Sequence, residues 1–448
     1  MTLIPGPATA DEARPRFAGH LDDDAATLAA HVGRAEDVLA TLPVPAGRNP
    51  VQERAAADVH ATSRTARRGF LALHADAVYD LLTDGRARRV RLPELVYAAA
   101  DRFPGLVPTR RQMDDERAHA QAHKEGREID QGIFCGAVLR SPQAGRHLIE
   151  TMLMPTPRAV QLQDEFGSTG RVELESVLLE RDGPAAFVEF RNADRLNSED
   201  SRLIADLETA VDLALLDERV RVGVLRGGHV RHPKYAGGRV FSAGVNLDDL
   251  RDGAVPFVEF MLGRELGYVH KFLRGALVDP ADGGAWSDRA VQKPWVGVVD
   301  AFAIGGGMQL LLVLDRVIAE SGAYFSLPAA HEGIVPGLGN LRLGRSTAAR
   351  TARRVILGGR PIAATDPEAM LVCDEVVPPE DVDAAVERAV RDLAAPAVTA
   401  NRAMLALAEE PLDLYREYMA EFASVQAVRL YSPDVLAKVG RRRRDRTG

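Results

Sequence analysis

Two segments of the chain pass from an apolar stretch into a glycine-containing turn, and they restrict the possible folds more than any other feature. Residues 241–250 read FSAGVNLDDL, and residues 301–315 read AFAIGGGMQLLLVLD, which predicts a long apolar helix from Gly306 onward. Glycine allows a tight turn and lets a ligand approach the backbone N–H groups. We therefore predict strands that end at glycine turns, with an N–H group available to a ligand at each turn.

Strands and helices alternate around these turns. Residues 172–179 and 185–190 alternate apolar and polar side chains on either side of Asp182-Gly183-Pro184, which predicts a β-hairpin. Further predicted elements are a helix at about 198–217 and strands at 220–225, 295–299, 316–319 and 324–326. The βαβ order and the nearly continuous apolar strands indicate an α/β domain whose parallel strands are covered by helices.

The first 170 residues have a helical pattern instead. Apolar side chains from Phe70 to Leu82 recur at three- and four-residue spacing, and Gly85 follows as a helix stop. At 448 residues, the chain is longer than one typical domain. We expect a disordered leader at 1–20, a helical N-terminal domain at 21–168, an α/β core at 172–375, and a C-terminal helical segment with a basic tail at 376–448.

Composition argues against several classes of function. The formal net charge of −8 does not suit a general nucleic-acid binder, and the Arg441–Arg444 run is expected to be a solvated tail. The first residues lack a signal-peptide pattern, and no run approaches the roughly 18 apolar residues that a membrane helix needs. Two isolated cysteines, Cys135 and Cys373, suit a reducing compartment. We expect a soluble cytoplasmic protein with no membrane or nucleic-acid partner.

Candidate metal ligands are sparse. The best set is Glu116, His119 and His123, at the i, i+3 and i+7 positions of a predicted helix. A single ExxH pattern is weak evidence, and an exposed polar helix face is the better interpretation. Since no dinucleotide-binding fingerprint stands out either, we predict no metal and no cofactor.

The two glycine turns suggest a site for an anionic oxygen. A thioester carbonyl becomes negatively charged when it is attacked or when its α-carbon loses a proton, and each preorganised N–H donor stabilises that charge by roughly 3 kcal/mol. Val245 and Gly306 are the candidate donors, and a helix that begins at Gly306 adds its positive dipole end. For either turn alone, close strand–helix packing is the simpler explanation of the glycines.

Together, the motifs resemble the crotonase (enoyl-CoA hydratase/isomerase) superfamily over about residues 172–440. They occur in the order that the family has, which makes the resemblance specific: Arg191–Asn197 (RNADRLN), the SAGVNLDD turn, Lys293–Asp315, and Phe325–Gly339 (FSLPAAHEGIVPGLG). The resemblance implies an α/β fold, a crotonase-type spiral of ββα units, with a helical N-terminal domain and a helical C-terminal segment. It also implies that the chain binds an acyl-CoA thioester and forms a homotrimer or a dimer of trimers.

The resemblance assigns residues to the parts of an acyl-CoA. Val245 and Gly306 would form the oxyanion hole. The CoA-binding set would be Ala193, Arg195, Leu196, Ala243, Gly244, Asn246, Leu247 and Ile334, with His232, Lys234 and Tyr235 from a basic insertion at 228–239 and Gln426 from a C-terminal helix. For the insertion, a solvated loop is an equally good interpretation.

The chain departs from the hydratase pattern at two positions. Gln309 stands where hydratases have a catalytic glutamate two residues after the glycines, and Ala329 replaces the glutamate that follows the FxxP element. Addition of water to an enoyl thioester needs a general acid and base, and neither side chain can serve. We therefore expect a retained thioester site without hydratase activity.

These departures, the helical extension and the insertion resemble the family members that oxidise an aryl-acetyl-CoA with O2 and no cofactor. The implied reaction converts 3,5-dihydroxyphenylacetyl-CoA and O2 to 3,5-dihydroxyphenylglyoxylate and CoA, in the synthesis of dihydroxyphenylglycine for antibiotics. The chemistry is feasible, because an enolate held in an oxyanion hole can pass an electron to O2. The resulting peroxide can attack the thioester carbonyl and expel CoA.

Two further sets of candidate residues follow from the hypothesis of an aryl-acetyl-CoA dioxygenase. Glu199, Arg264 and Gln309 are candidate catalytic residues that hold the ring hydroxyls, although Glu199 and Arg264 serve equally well as a cap or a salt bridge. An apolar pocket for O2 would consist of Ala329, Leu247 and Ile334, of which the last two are equally well explained as ordinary core residues. The alternatives are an acyl-CoA hydrolase, decarboxylase or isomerase of the same family, and a non-catalytic binding protein.

Overall fold

The computed structural model describes residues 15–235, 237–279 and 286–438. Most of the expected leader and the Arg441–Arg444 tail therefore lie outside the described residues. The last residues of the leader are not disordered, because the Phe17 ring packs against Phe70 with 5.9 Å between centroids. The Asp24 carboxylate also accepts hydrogen bonds from the N–H groups just before helix α1.

The helical N-terminal region is confirmed. Asn49 and Gln52 form a reciprocal capping box at the start of α2, and Gly85 adopts the left-handed conformation just after its end. Although α2 is 33 residues long, no helix among the described residues is long and apolar enough to cross a membrane. The helices are α1 (Leu21–Ala40), α2 (Pro50–Leu82), α3 (Leu92–Arg102), α4 (Arg110–Arg117), α5 (Glu128–Arg140), α6 (Pro142–Leu153) and α7 (Pro157–Thr169).

A seven-stranded sheet forms the centre of the second half, in the order β1-β2-β3-β4-β7-β9-β12. Its strands from β3 onward are parallel, as the apolar pattern predicts. The strands are β1 (Arg171–Glu173), β2 (Val177–Asp182), β3 (Ala185–Phe190), β4 (Val222–Gly227), β7 (Trp295–Val299), β9 (Arg316–Glu320) and β12 (Glu375–Val377). Smaller sheets contain β5 (Ala276–Leu277) with β6 (Ala290–Val291), and β8 (Phe302–Ile304) with β10 (Tyr324–Ser326) and β11 (Ile362–Ala363).

The predicted hairpin is confirmed as β2 and β3, but the prediction of one strand at 172–179 is wrong. The chain turns after residue 173, and β1 folds back as an antiparallel edge strand on β2. The turn is held by Asp206, whose carboxylate accepts hydrogen bonds from both N and Oγ of Ser176 at 2.7 and 2.8 Å. A distant side chain thus ends an alternating pattern that would otherwise continue.

The long helix predicted from Gly306 is also wrong, because α13 (Gly306–Leu311) has only six residues. The chain must return to the sheet at β9, and Asp315 is anchored there by Trp295 N and Arg402 Nε, at 2.8 and 2.7 Å. The remaining helices are α8 (Ser201–Leu216), α9 (Leu247–Arg251), α10 (Gly263–Leu266), α11 (Tyr268–Arg274), α12 (Trp286–Arg289), α14 (Ala329–Glu332), α15 (Gly339–Ser346), α16 (Ala349–Ile356), α17 (Val382–Leu393), α18 (Pro396–Glu409) and α19 (Leu412–Arg429).

Helices cover both faces of the large sheet. On one face, Val224 and Val298 share a core cluster with Val386 of α17, and the other face packs on α8 in the main core. The N-terminal helix α5 lies against α19, and the two approach closely because a Cβ at Gly132 would lie only 2.7 Å from Ala423 O. The helical N-terminal region therefore contacts the C-terminal segment directly, beside the strand ends.

A partly buried carboxylate predicts how the stability of the N-terminal region depends on pH. Burial alone would raise the pKa of Glu125, but hydrogen bonds from His60 and Arg48 outweigh it and lower this pKa from 4.5 to about 2. A lowered pKa stabilises the fold above the unfolded value, and that contribution disappears as the pH falls from about 4.5 toward 2. We expect Glu125→Gln to lower the free energy of unfolding at pH 7 by about 2–3 kcal/mol.

Urea unfolding of both proteins between pH 7 and pH 2 measures this effect. The difference between wild type and Glu125→Gln should shrink as the pH falls through the stated range. Glu165→Gln is the control, because Glu165 is an exposed residue of α7. A difference that stays constant with pH would show that the ionised carboxylate does not stabilise the fold.

Candidate active site

The two glycine turns meet at the carboxyl ends of neighbouring strands. Ile304 N donates to Ser242 O at 2.9 Å, so the segments before the turns pair like strands. Gly244 has φ +78°, and a Cβ atom there would lie 2.6 Å from Ile304 O and 2.9 Å from Gly306 N. Only glycine allows this contact, because a side chain would force the turns apart.

The N–H groups of Val245 and Gly306 form no hydrogen bond within residues 15–235, 237–279 and 286–438. The backbone bonds beside Val245 are made by its neighbours: Glu199 N donates to Gly244 O, and Asn246 N donates to Glu199 O. Gly306 is the first residue of α13, so its N–H has no partner within the helix. Two unpaired donors on touching turns are the arrangement that an oxyanion hole requires.

The Arg264 side chain lies behind the second turn and is fully engaged. Its Nε and one terminal nitrogen form a bidentate ion pair with Glu199, at 2.9 and 3.0 Å. The remaining bonds run to Glu265 Oε1 at 2.6 Å, Gln309 Oε1 at 3.2 Å and Gly306 O at 2.9 Å. All three predicted ring-binding residues therefore meet in one buried network.

Burial and neighbouring charges shift the pKa values of Arg264 and Tyr268 in this network. Burial opposes the charge of Arg264, but Glu199 and its neighbours outweigh burial and hold the pKa of Arg264 well above its ordinary value. Burial likewise raises the pKa of Tyr268, whose hydroxyl donates to Glu199 Oε1 at 3.2 Å. A Cβ on Gly306 would lie 2.3 Å from Glu199 Oε2, so the carboxylate touches the oxyanion turn. The arrangement is a rigid polar cluster beside two free donors.

Gln309 is the member of this cluster with unused hydrogen-bonding capacity. Its Oε1 accepts from Arg264, while its Nε2 donates to no atom of the part of the chain that the structure describes. Glu265 is a second such group, which the motifs do not single out. It is buried, its Oε2 lacks a hydrogen-bond partner there, and a guanidinium nitrogen of Arg342 lies 3.9 Å from this oxygen. Neither Glu265 nor Tyr268 was predicted from the sequence, because no motif marks either residue.

A cavity of about 330 Å³ lies beside the first turn. Its lining contains the oxyanion candidate Val245 and half of the predicted CoA-binding residues: Arg195, Leu196, His232, Ala243, Asn246 and Leu247. Ala193 begins the short 3₁₀ helix at 193–195, next to this lining. The Asn246 side chain is engaged, because its Oδ1 caps α9 through Asp248 N and Asp249 N at 3.1 and 3.4 Å. Only its amide nitrogen is left for a ligand.

Other predicted CoA contacts lie elsewhere. Lys234 and Tyr235 line a separate cavity of about 400 Å³, although the rings of Tyr235 and His232 lie 5.9 Å apart. The CoA contact of Gln426 stays a prediction, and in this structure its side chain is fully buried. Its Oε1 accepts from Val335 N at 2.8 Å, so it ties α19 to the loop after α14.

The structure brings together two of the three predicted O2-pocket residues. Ala329 is buried at the start of α14, and Ile334 N donates to Ala329 O at 3.0 Å. Ile334 lines a cavity of about 460 Å³, whereas Leu247 lines the cavity beside the first turn. Leu247 is therefore placed with the CoA residues.

The metal candidate fails because its helix ends too early. Helix α4 stops at Arg117, so His119 and His123 do not share a helix face with Glu116. The Glu116 carboxylate instead accepts backbone hydrogen bonds from residues 125–127. Within the described residues, no group of three or more His, Cys, Asp or Glu side chains could hold a metal ion.

Comparison with known proteins places these features in a family. The sequence model of the enoyl-CoA hydratase/isomerase family matches residues 285–424. A (3,5-dihydroxyphenyl)acetyl-CoA 1,2-dioxygenase of Amycolatopsis orientalis is 54% identical over 417 residues, which cover 93% of this chain and 95% of that protein. A probable enoyl-CoA hydratase of Rhizobium meliloti is 28% identical over 46% of this chain and 70% of its own length. Among solved structures, an enoyl-CoA hydratase from Mycobacterium avium subsp. paratuberculosis has a TM-score of 0.49 and 21% identity, covering 61% of this chain and 97% of that one.

The contact between the turns can be tested with Gly244→Ala. The added Cβ would collide with Ile304 O and Gly306 N, and should separate the two free N–H groups. We expect turnover of an acyl-CoA thioester, measured as release of CoA, to fall by about 100-fold or more, as for loss of one oxyanion donor. Gly306 itself is unsuitable for this test, because any side chain there would collide with Glu199.

Gly183→Ala is the matched control for this prediction. Gly183 also has a positive φ, +53°, but a Cβ there would have no atom within 4 Å. Both variants carry backbone strain, and only Gly244→Ala disturbs the turns. Equal activity in the two variants would remove the contact between the turns from the mechanism.

Proposed function

The chain belongs to the enoyl-CoA hydratase/isomerase family, and from that premise we propose that it is a dioxygenase. It converts 3,5-dihydroxyphenylacetyl-CoA and O2 to 3,5-dihydroxyphenylglyoxylate and CoA, without a metal or flavin. The observation that carries the proposal is the extensive identity to the Amycolatopsis orientalis dioxygenase over nearly the whole chain. Gln309 and Ala329 support it, because neither side chain can serve as the general acid or base that hydratases have at these two positions.

The first step is loss of a proton from the α-carbon, which lies between an aromatic ring and a thioester carbonyl. The carbonyl oxygen becomes the enolate oxygen and accepts hydrogen bonds from Val245 N and Gly306 N. Because both donors belong to glycine turns held by backbone pairing, they need no rearrangement as charge develops. The positive end of the α13 dipole adds to the stabilisation.

The enolate then reduces O2, and the oxygen bonds to the α-carbon as a peroxide. Its terminal oxygen attacks the thioester carbonyl, the C–S bond breaks, and CoA leaves as a thiolate. Cleavage of the O–O bond with loss of the second α-proton yields the ketone and the carboxylate. One oxygen atom of O2 enters the ketone and the other enters the carboxylate. Of the two protons lost from the α-carbon, one protonates the CoA thiolate and the other is released to the medium.

The residues around the turns have separate roles in this reaction. The Gln309 amide donates to a ring hydroxyl, while Glu199 and Arg264 hold that amide in place and complete the polar pocket. The CoA moiety lies along the cavity beside Val245. Ala329 and Ile334 leave apolar space for O2, which needs a dry pocket rather than a polar binding group.

The wider setting is part of the same proposal. The protein works in the cytoplasm as a homotrimer or a dimer of trimers, as the family resemblance implies. Its product is a precursor of dihydroxyphenylglycine for an antibiotic. Sedimentation of the purified protein tests the oligomeric state.

An oxygen-electrode assay on enzyme dialysed exhaustively against EDTA tests the reaction. We expect equimolar O2 consumption and CoA release with 3,5-dihydroxyphenylacetyl-CoA, no flavin absorbance, and both atoms of isotopically labelled O2 in the glyoxylate. CoA release without O2 consumption would indicate a hydrolase, and no turnover of any acyl-CoA would indicate a binding protein. Restoration of an EDTA-inactivated enzyme by Fe(II) or Cu(II) would overturn cofactor independence.

Gln309→Leu tests recognition of the ring hydroxyls. The variant removes the unpaired amide donor, and a hydroxyl that faces an apolar group in a buried site loses its hydrogen bond. We expect the ratio of kcat/KM for the dihydroxylated substrate to that for phenylacetyl-CoA to fall on the order of 100-fold. Gln163→Leu is the control, since it makes the same chemical change at an exposed residue of α7. An unchanged ratio in Gln309→Leu would place the ring elsewhere.

A further inference from the structure

The segment that contains Arg264 has no helix cap of its own. It begins with a π-helix at Phe257–Leu262 and continues through α10 and α11 to Arg274. The preceding residue, Pro256, makes no side-chain capping bond, which leaves the first N–H groups without local partners. We call residues 257–274 the Arg264 segment.

A carboxylate from the N-terminal region supplies the missing cap. Glu128, at the start of α5, is buried, and its Oε1 accepts from Phe257 N at 3.2 Å. Its Oε2 accepts from the Tyr431 hydroxyl at 2.5 Å, and the buried Lys124 ammonium lies 3.8 Å from Oε1. A carboxylate at the start of a helix is favoured by the helix dipole. One end of the Arg264 segment is therefore fixed by α5.

The other end is held by a second buried charge cluster. Lys271 of α11 forms ion pairs with Glu208 and Asp212 of α8, at 2.8 and 2.7 Å. The same carboxylates bind the N-terminal region, because Glu208 accepts from Arg91 at 2.6 Å and Asp212 accepts from Thr156 N at 2.7 Å. Both clusters are deeply buried, so losing a partner would leave a charge without compensation.

Between these two anchors, Arg264 sets the positions of Glu199 and Gln309. Its bonds to both residues depend on where α10 lies, since a guanidinium makes its hydrogen bonds in one plane. A shift of α10 would displace the Gln309 side chain from the ring hydroxyl. It would also pull on Gly306 O, but the two turns are held together by the backbone bond from Ile304 N to Ser242 O and should move less.

We propose that the helical N-terminal region is a brace for substrate recognition. Glu128 and Arg91 act as positioning residues: they hold the two ends of the Arg264 segment and thereby set the geometry of the ring-hydroxyl pocket. This inference rests on the proposed function for its substrate. It gives the N-terminal extension a role that is separate from catalysis at the oxyanion turns.

Glu128→Gln tests one end of the segment, and Arg91→Gln tests the other if the first variant does not fold. We expect the kcat/KM ratio of the dihydroxylated substrate to phenylacetyl-CoA to fall about 10-fold, a readout that a general loss of stability would not move. Asp24→Asn is the matched control. It neutralises a buried carboxylate of the same region, paired with His74 at 2.7 Å and not in contact with the Arg264 segment. An unchanged ratio in the folded test variant, or an equal drop in the control, would overturn the brace.

Hydrogen exchange of residues 257–266 in the substrate-free protein provides a readout that does not need the proposed reaction. Exchange should be about 10-fold faster in Glu128→Gln or Arg91→Gln and unchanged in Asp24→Asn. If the wild-type protein shows no O2-dependent turnover, the proposed function is wrong, but faster exchange in the test variants would still support the brace. Unchanged exchange in the test variants would defeat the brace even if the wild-type enzyme consumes O2.

Discussion

The guanidinium of Arg264 is buried, and its five N–H groups all need acceptors because an unpaired charge in the interior is costly. The acceptors are Glu199, Glu265, Gln309 and Gly306 O, which come from two other segments as well as its own. The requirement to satisfy one cation therefore brings these segments to a common point. The start of α13 is held through its carbonyl oxygen, and the N–H of Gly306 stays free for a ligand.

This arrangement explains why a crotonase site can serve a reaction other than hydration. The oxyanion turns depend on backbone pairing and on Gly244, so they are unaffected by side-chain changes at the catalytic positions. Gln309 and Ala329 stand where hydratases have two carboxylates, and neither side chain can act as the acid or base of hydration. In the proposed reaction, the enolate that the two turns stabilise then reacts with O2.

Elements that depend on the local pattern of apolar residues and glycines were predicted correctly from the sequence. Apolar periodicity and glycine placement predicted the helical N-terminal region, the β2–β3 hairpin and the parallel strands. The helix from Gly306 and the strand at 172–179 were overestimated, because Asp315 and Asp206 end these elements through partners far away in the chain. Among site residues, motifs placed Val245 next to Gly306, but Glu265 has no local pattern that marks it.

By itself, the sequence determined the order of strand, glycine turn and helix, and with it the two backbone donors. These features depend on φ preferences and on the spacing of apolar side chains, which act over a few residues. Only the tertiary structure decided which polar side chains remain free for a ligand. Asn246 is used to cap α9 and Gln426 to bind Val335 N, while Gln309 keeps an unpaired amide. The partners of a side chain come from segments that are distant in the sequence, so no local pattern can reveal them.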